Sequence, residues 1–287
     1  MTRFLTCWGT FFLLFALLVA PDALADPGTD AKRTNRAPGR QAKVDTMAYS
    51  GPKKDLHIYL LIGQSNMAGR AEIPEDISGV IDRCYLLNDK NEWVPAKNPM
   101  NLYSSVRKRE ALQKLGPGYS FAKAMLEANP DISLGLVVNA RGGTKIKAWQ
   151  RGTEYYTEAQ KRTKAAMKQG TLKGILWHQG EGNSRSSRTY LGYLTTLIEN
   201  HREDFGIENL PFVAGQIRAD ERSKPINAEI AKLSQAVPHT AVAGSKGLTM
   251  FDGTHFDTVS QIELGKRYAK QMLELQAKQM EKKEIEE

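Results

Sequence analysis

A serine, an aspartate and a histidine occupy positions from which they could together cleave an ester. Ser65 lies in the stretch Gly63–Met67, whose sequence is Gly-Gln-Ser-Asn-Met, and Asp252 precedes His255 by three residues. A serine hydroxyl is a weak nucleophile until a base removes its proton. His255 could be that base, and Asp252 could fix the tautomer of its imidazole and stabilise the imidazolium. These residues predict acyl transfer with Ser65 as the nucleophile.

The tetrahedral oxyanion of such a reaction needs preorganised hydrogen-bond donors. The candidates are the N–H of Ser65, an N–H of Gly142 or Gly143, and the side-chain amide of Gln179. Adjacent glycines let the backbone approach a ligand and aim N–H groups at it. Further polar residues beside these candidates are predicted to bind substrate or support the site: Gln64, Asn66, Arg141, His178 and Glu181.

Each of these stretches follows a short apolar run that predicts a strand. The predicted strands are Ile58–Ile62, Cys84–Leu87, Ser133–Asn139, Gly174–Trp177, Phe212–Ala214 and Ala241–Gly244. In an open α/β sheet, ligands bind at the carboxyl ends of the strands. The common placement of the polar stretches therefore predicts that they converge on one crevice.

Helical patterns alternate with these strands, near residues 121–126, 159–167, 190–198 and 262–273. Alternation of strands and helices predicts a parallel sheet covered by helices on both faces, that is, a three-layer α/β/α sandwich. The connection over residues 89–117 is unusually long and carries the basic cluster Arg107–Arg109. A long loop at the mouth of such a sheet often shapes a binding site.

The first 25 residues have the features of a secretory signal. Arg3 gives a positive start, residues 11–20 form a short apolar run, and Ala23-Leu24-Ala25 is a small-x-small cleavage site. The apolar run is too short for a permanent membrane span, although an uncleaved anchor is the alternative. We therefore expect cleavage near Ala25 and export to the periplasm or the cell exterior.

The remaining chain divides by composition. Residues 26–52 carry few large apolar side chains and predict a disordered basic linker, residues 53–275 the folded domain, and residues 276–287 a charged tail. The net charge is +8, but Tyr49 is the only aromatic residue among the charges of the linker, so the pattern is not typical of nucleic-acid binding. Once the signal is removed, Cys84 is the sole cysteine, which excludes an intramolecular disulfide and predicts a buried apolar side chain.

Taken in order, the polar stretches resemble the sequence blocks of the SGNH superfamily. The blocks are Gly-Gln-Ser-Asn-Met at 63–67, Gly-Gly-Thr followed by a tryptophan (Gly142 to Trp149), Trp-His-Gln-Gly-Glu at 177–181 and Asp-x-x-His at 252–255. Within the superfamily they are similar to the carbohydrate O-acetylesterases grouped with sialate O-acetylesterase and acetylxylan esterase. The similarity extends from about residue 56 to residue 273.

This resemblance implies a flavodoxin-like three-layer fold, no metal or other cofactor, and removal of O-acetyl groups from carbohydrates. It implies Ser65 as nucleophile, Asp252 and His255 as the rest of the triad, and Gln179 in the oxyanion role that an asparagine holds elsewhere in the superfamily. Glu181 matches a glutamate of the family and is expected to hold the loop or touch substrate. Gly182-Asn183 departs from the small residue and aspartate of many relatives, which affects fine substrate choice more than catalysis.

Several alternatives remain. Met67 replaces the second glycine of a G-x-S-x-G elbow, which argues against an ordinary α/β-hydrolase. A metal hydrolase would use His178, Glu181, Asp252 and His255, but their spacing matches no familiar zinc motif. A non-catalytic carbohydrate-binding protein on the same fold, or a lipase or thioesterase, also stays open. Trp93, Tyr103 and Trp149 could stack on sugar rings, although burial in the core is the commoner fate of such residues.

Overall fold

The apolar run before the serine forms the central strand of the sheet. A computed structural model describes residues 48–286, and in it β1 spans Leu56–Gly63. Successive side chains of a strand point to opposite faces, so Tyr59 and Leu61 enter one core while Ile58 and Leu60 enter the other. Because both faces are covered, the strand is apolar throughout and does not alternate with polar residues.

Seven strands in the described part of the chain form one sheet in the order β3-β2-β4-β1-β5-β6-β7. Their bounds after β1 are β2 Cys84–Leu87, β3 Trp93–Pro95, β4 Ser133–Ala140, β5 Thr171–His178, β6 Phe212–Gly215 and β7 Thr240–Ala243. All pairs are parallel except β2 with β3. The six predicted strands are confirmed, whereas the antiparallel edge strand β3 was not predicted. Without β2 and β3, the remaining five strands follow the flavodoxin-like order, second-first-third-fourth-fifth.

Helices cover both faces of the sheet, as predicted. Their bounds are α1 Ser65–Ala68, α2 Gly118–Ala128, α3 Glu154–Ala166, α4 Tyr190–Phe205, α5 Lys224–Ala231, α6 Leu233–Ala236 and α7 Thr258–Glu286. Helices α2 and α7 pack on the face that receives Tyr59, and α3 to α6 pack on the other. Helix α2 stops at Ala128 because Asn129 precedes a proline, which disfavours helical backbone.

The long connection before α2 is fastened to the carboxyl end of β4. The side chain of Asn101 accepts the N–H of Ala140 at 2.9 Å and donates to its carbonyl at 3.1 Å. Asn139 in turn accepts the N–H and hydroxyl of Ser105. Both asparagines are buried, so the contacts hold the loop against the edge of the sheet where the predicted site lies.

The predicted signal segment 1–25 and most of the predicted linker 26–52 lie outside the described residues. Where the description begins, Tyr49 packs edge-on against Tyr85 with ring centroids 5.3 Å apart. At the other end, α7 continues into the predicted tail, where Gln276 donates to the hydroxyl of Tyr59. Cys84 is buried and unpaired in β2. None of the helices in the described range is long and apolar enough to span a membrane.

Candidate active site

Gly63 ends β1 and turns the chain so that the following residues face the crevice. Its φ of +133° is disfavoured for other residues, and a Cβ at this position would lie 2.2 Å from the carbonyl oxygen of His178. The N–H of Gln64 donates to that same carbonyl at 2.8 Å. Only glycine fits this close approach between the ends of β1 and β5, and it places Ser65 at the start of α1.

Ser65 and His255 meet across 190 positions of sequence. The distance from Ser65 Oγ to His255 Nε2 is 3.0 Å, and the distance from His255 Nδ1 to Asp252 Oδ2 is 2.6 Å. Ser65 is 6% exposed, while the side chains of His255 and Asp252 are partly open to solvent. A hydroxyl, an imidazole and a carboxylate in this sequence of contacts can pass a proton from the hydroxyl to the imidazole.

Asp252 is held as a carboxylate by its own turn. Its Oδ1 accepts the backbone N–H groups of Thr254 and His255 at 3.0 and 2.8 Å, while Oδ2 faces the imidazole. Partial burial acts to raise the pKa of Asp252, but the hydrogen bonds from His255 and Thr254 outweigh it and hold the pKa below its usual range. The two backbone hydrogen bonds to Oδ1 fix the carboxylate, and its other oxygen, Oδ2, then orients the imidazole of His255.

Asn66 joins the serine turn to the histidine loop. Its fully buried side chain accepts the N–H of Phe256 at 3.1 Å and donates to the carbonyl of Thr254 at 3.2 Å, on either side of His255. The same amide donates to Glu181 Oε1 at 2.6 Å. Two distant segments, the loop that carries His255 and the turn after β5, are thus fixed to the side chain of the residue directly after Ser65.

The carboxyl of Glu181 is buried behind this network. Its Oε2 has no hydrogen-bond partner among the described residues. Burial raises the pKa of Glu181, and the opposing contributions of Asn66 and the nearby cationic groups do not cancel it. Glu181 contacts Asn66 and not the imidazole, and Asn66 in turn contacts the backbone on both sides of His255.

The glycine turn after β4 lies against the serine. A Cβ on Gly142 would lie 3.3 Å from the Cβ of Ser65 and 2.8 Å from Arg70 Nη2, so a larger residue here would crowd both side chains. No hydrogen bond among the described residues uses the N–H groups of Gly142 or Gly143. The N–H of Ser65 is equally unused within α1, because it belongs to the first residue of that helix. Three backbone N–H groups in these two turns are therefore without an acceptor among the described residues.

Gln179 is committed to other contacts. Its Nε2 lies within hydrogen-bond distance of Gln64 Oε1 (3.1 Å), the Thr144 carbonyl (3.0 Å) and Asn183 Oδ1 (2.9 Å), and the residue is fully buried. An amide has two hydrogens, so these three acceptors already exceed its donors. Gln64 also accepts the N–H of Gly182. Gln179 and Gln64 thereby tie the turns after β1, β4 and β5 together.

Two of the predicted supporting residues lie away from the hydroxyl. His178 is fully buried and contacts the hydroxyl of Tyr268 through Nδ1, and burial lowers its pKa to about 3. Arg141 donates to the carbonyl of Val106 and lies over the ring of Tyr155, so it fastens the long loop. Both residues act on the shape of the site and do not contact Ser65.

Sequence reasoning missed two residues at the site. Arg70 Nη2 would lie 2.8 Å from a Cβ on Gly142, and the ring of Phe251 stacks on the imidazole of His255 with centroids 6.0 Å apart. Phe251 directly precedes the stretch 252–255, but no role was predicted for it. The tryptophans suggested as sugar platforms, Trp93 and Trp149, are buried in the core and cannot stack on a ligand, because the apolar interior covers both.

Within the described residues, no group of three or more His, Cys, Asp or Glu side chains is placed to hold a metal ion. The predicted metal alternative would have required His178 and His255 to share an ion. Instead, the two imidazoles have separate partners, Tyr268 and Ser65.

The sheet order, the flanking helices and the crevice at the carboxyl ends of β1, β4 and β5 define an SGNH-like hydrolase fold. The sequence comparison then gives the family. Residues 55–274 match the family described as carbohydrate esterase, sialic acid-specific acetylesterase, and the chain belongs to this family of carbohydrate acetylesterases. The family resemblance and the fold class predicted from the sequence are confirmed.

Individual relatives agree with this assignment. A probable carbohydrate esterase of Arabidopsis thaliana is 31% identical over 238 residues, which cover 72% of this chain and 86% of the relative. The crystal structure of that Arabidopsis protein superimposes with a TM-score of 0.70 at 27% identity, covering 78% of this chain and 99% of the other.

Two more distant structures share the fold. The structure of NanS has a TM-score of 0.62 at 15% identity and covers 79% of this chain and 99% of its own. A carbohydrate acetylesterase from Xanthomonas citri has a TM-score of 0.56 at 21% identity, covering 74% of this chain and 55% of its own.

Proposed function

We propose that this carbohydrate esterase is a serine enzyme that removes O-acetyl groups from sugars through an acetyl-enzyme intermediate. The observation that carries the proposal is the continuous contact from Ser65 Oγ to His255 Nε2 and from His255 Nδ1 to Asp252 Oδ2, at 3.0 and 2.6 Å. Family membership supports the acetylated carbohydrate as substrate.

In the first half-reaction, His255 Nε2 takes the proton of Ser65 as Oγ forms a bond to the acetyl carbonyl carbon. The carbonyl oxygen becomes an oxyanion, which the unused N–H groups of Ser65, Gly142 and Gly143 can receive. When the tetrahedral species collapses, the sugar oxygen leaves with the proton from His255. Asp252 stabilises the imidazolium between these two proton transfers.

In the second half-reaction, water gives a proton to His255 and attacks the acetyl-serine. Collapse of the second tetrahedral species frees acetate and returns the proton to Ser65 Oγ. Gln179, proposed from the family as a further oxyanion donor, would have to release one of its three present acceptors to serve this step. In the arrangement described, it holds the turns that carry the backbone donors.

The substitution Ser65→Ala tests the mechanism. We expect hydrolysis of acetate esters to fall by at least about 10³-fold, with the melting temperature unchanged, because only the nucleophile is removed. Mass spectrometry of the quenched wild-type reaction should show an acetyl group on the peptide that contains Ser65. Full activity of Ser65→Ala would exclude the proposed mechanism.

Substrate choice is tested by offering acetylated xylan, O-acetylated sialic acid and a simple acetylated hexose at equal ester concentration. We propose that activity is confined to short acyl groups, as expected of an acetylesterase. Rates on octanoate esters equal to those on acetate esters would instead identify a lipase-like enzyme. Binding of acetylated sugar without acetate release would favour the non-catalytic alternative.

We also propose that the protein is exported and processed near Ala25, on the features of residues 1–25 alone. Sequencing the amino terminus of protein recovered from the periplasm or the medium is the direct test. A mature chain that begins at or near Asp26 is expected. An intact Met1 in the membrane fraction would identify an uncleaved anchor.

A further inference from the structure

A cavity of about 400 Å³ is lined by residues that follow Ser65 and by residues on either side of His255 in sequence. Phe251 and Arg70 both line it, together with Lys114, Val259, Thr258 and the acidic residues Glu72 and Asp257. Phe251 also stacks on the imidazole of His255, and Arg70 reaches the glycine turn beside Ser65. Two residues that line the cavity therefore also contact the site, one at His255 and one at the glycine turn.

Phe251 presents its ring to solvent at a place where the backbone holds it firmly. The side chain is 56% exposed, which is high for a phenylalanine, and the ring planes of Phe251 and His255 differ by 24°. The N–H of Phe251 donates to the carbonyl of His255 at 3.1 Å, so the backbone of Phe251 is fixed to the loop that carries His255. An exposed aromatic ring on a fixed backbone offers a large apolar contact area and loses little conformational freedom, because it has only two side-chain torsions.

Arg70 supplies polar donors on the other wall. Its Nη1 donates to the carbonyls of Gly69 and Leu112 at 2.5 and 2.9 Å, which fixes the guanidinium, while no hydrogen bond among the described residues uses Nη2. Burial lowers the pKa of Arg70. A guanidinium nitrogen that is partly desolvated and without an acceptor is ready to bind the oxygen atoms of a ligand.

The chemistry of the reaction tells which part of the substrate lies here. The sugar oxygen takes its proton from His255 when it leaves, so the leaving sugar must lie next to the imidazole. The acetyl carbonyl, by contrast, must face the N–H groups of Ser65 and Gly142. A ring placed against His255 on the solvent side meets Phe251, and its oxygen atoms then face Arg70 across the cavity.

We propose that this cavity is the subsite for the leaving sugar, with Phe251 as a platform for the C–H face of the ring and Arg70 Nη2 as a donor to its oxygen atoms. The proposal rests on the serine mechanism proposed above. Phe251 and Arg70 then determine specificity for a ring-shaped alcohol over a simple one, and they are not needed for attack on the ester itself.

The test compares two substrates for each variant: an O-acetylated methyl pyranoside and ethyl acetate, which has no ring. We expect Phe251→Leu to lower the ratio of kcat/KM for the sugar ester to kcat/KM for ethyl acetate about tenfold, while Phe251→Tyr keeps the ratio. Arg70→Met should lower the same ratio, with the larger change in KM. Val80→Ala is the matched control, because Val80 is also an exposed apolar residue but does not line the cavity.

The unacetylated methyl pyranoside provides a second measurement, as a competitive inhibitor. Its inhibition constant should rise about as much in Phe251→Leu as the ratio falls. Equal losses on both substrates, or an unchanged ratio and inhibition constant, would overturn the subsite. Failure of the serine mechanism is distinguishable, because it would appear as ethyl acetate hydrolysis by Ser65→Ala.

Discussion

The amide of Asn66 donates to Glu181 Oε1 across 2.6 Å and joins the residue after the proposed nucleophile to the turn that follows β5. The same side chain binds the backbone on both sides of His255. The imidazole is therefore positioned from two directions, by Asp252 through its side chain and by Asn66 through the backbone of its loop.

Asn66→Ala should reduce kcat at least about tenfold and also lower the melting temperature, because it leaves buried polar groups of two loops without partners. Steady-state kinetics on a small acetate ester and thermal unfolding measure the two effects. Asn129→Ala is the matched control, since it removes one asparagine hydrogen bond at the end of α2 away from the site. Loss of stability alone, with kcat unchanged, would show that Asn66 does not position His255.

Glu181→Gln should change how stability depends on pH. The pKa of Glu181 is raised above its ordinary value of 4.5, so its contribution to stability is complete below that pH and is lost as the pH rises through the folded-state pKa. Glutamine does not titrate and keeps an oxygen for Asn66. The melting temperature of Glu181→Gln, relative to that of the wild type, should therefore rise as the pH increases from 4.5 to 8. A difference that is constant across this range would contradict the raised pKa.

Asp252→Asn should lower kcat by about 10²- to 10⁴-fold, because the amide neither stabilises the imidazolium nor fixes the tautomer that His255 needs. The loss of kcat is measured from the rate of hydrolysis of an acetate ester by the variant and the wild type. Asp204→Asn is the control, since that carboxylate contacts Arg151 and Tyr156, remote from the triad. A variant at position 252 with nearly full activity would require a different partner for His255 Nδ1.

Gln179→Ala separates two roles for a buried amide. Because Nε2 already contacts three protein acceptors, we expect the free energy of unfolding to fall by about 1–3 kcal/mol. We expect kcat to change only because the turns that Gln179 joins are disturbed. Urea unfolding and kinetics are compared on the same preparation. A fall in kcat of about 10²- to 10³-fold with full stability would instead identify Gln179 as a direct oxyanion donor.

Four histidines make the fold sensitive to acid, because desolvation lowers the pKa of each, including His239. Burial lowers the pKa of His178 and His201 to about 3, and burial together with Lys173 lowers that of His57 to about 4. The unfolded chain takes up protons below pH 6.5 that the folded chain does not, so stability should fall as the pH drops from 6.5 to 4. Glu181 acts in the opposite direction, because its raised pKa lets the folded chain bind one proton that the unfolded chain does not yet hold.

The slope of the free energy of unfolding against pH measures this effect. His201→Phe removes one titrating group from the stack between Tyr156 and Phe205 and should reduce the slope near pH 5 by about 1.4 kcal/mol per pH unit. An unchanged slope would show that His201 is protonated in the folded protein.

Much of the architecture followed from the sequence because strands buried on both faces are continuous apolar runs. β1, β4 and β5 were predicted for this reason. β3 has only three residues, one of them a proline, and it pairs with β2 through a hairpin. It was not predicted because so short a segment contains no continuous apolar run. Helix α5 was missed because it buries only Ile226 and Ile230, which is too little for a visible helical period.

What the sequence determined by itself was the chemistry that was possible and the elements that carry it. Ser65 was visible because it directly follows a predicted strand, and the Asp252–His255 pair because an aspartate three residues before a histidine can orient its imidazole. The tertiary structure decided which groups have free donors, since Gln179 is committed to neighbouring turns while Gly142 is not. It alone brought Arg70 to the glycine turn after β4, because that contact depends on how distant turns pack, and no local pattern of residues records that packing.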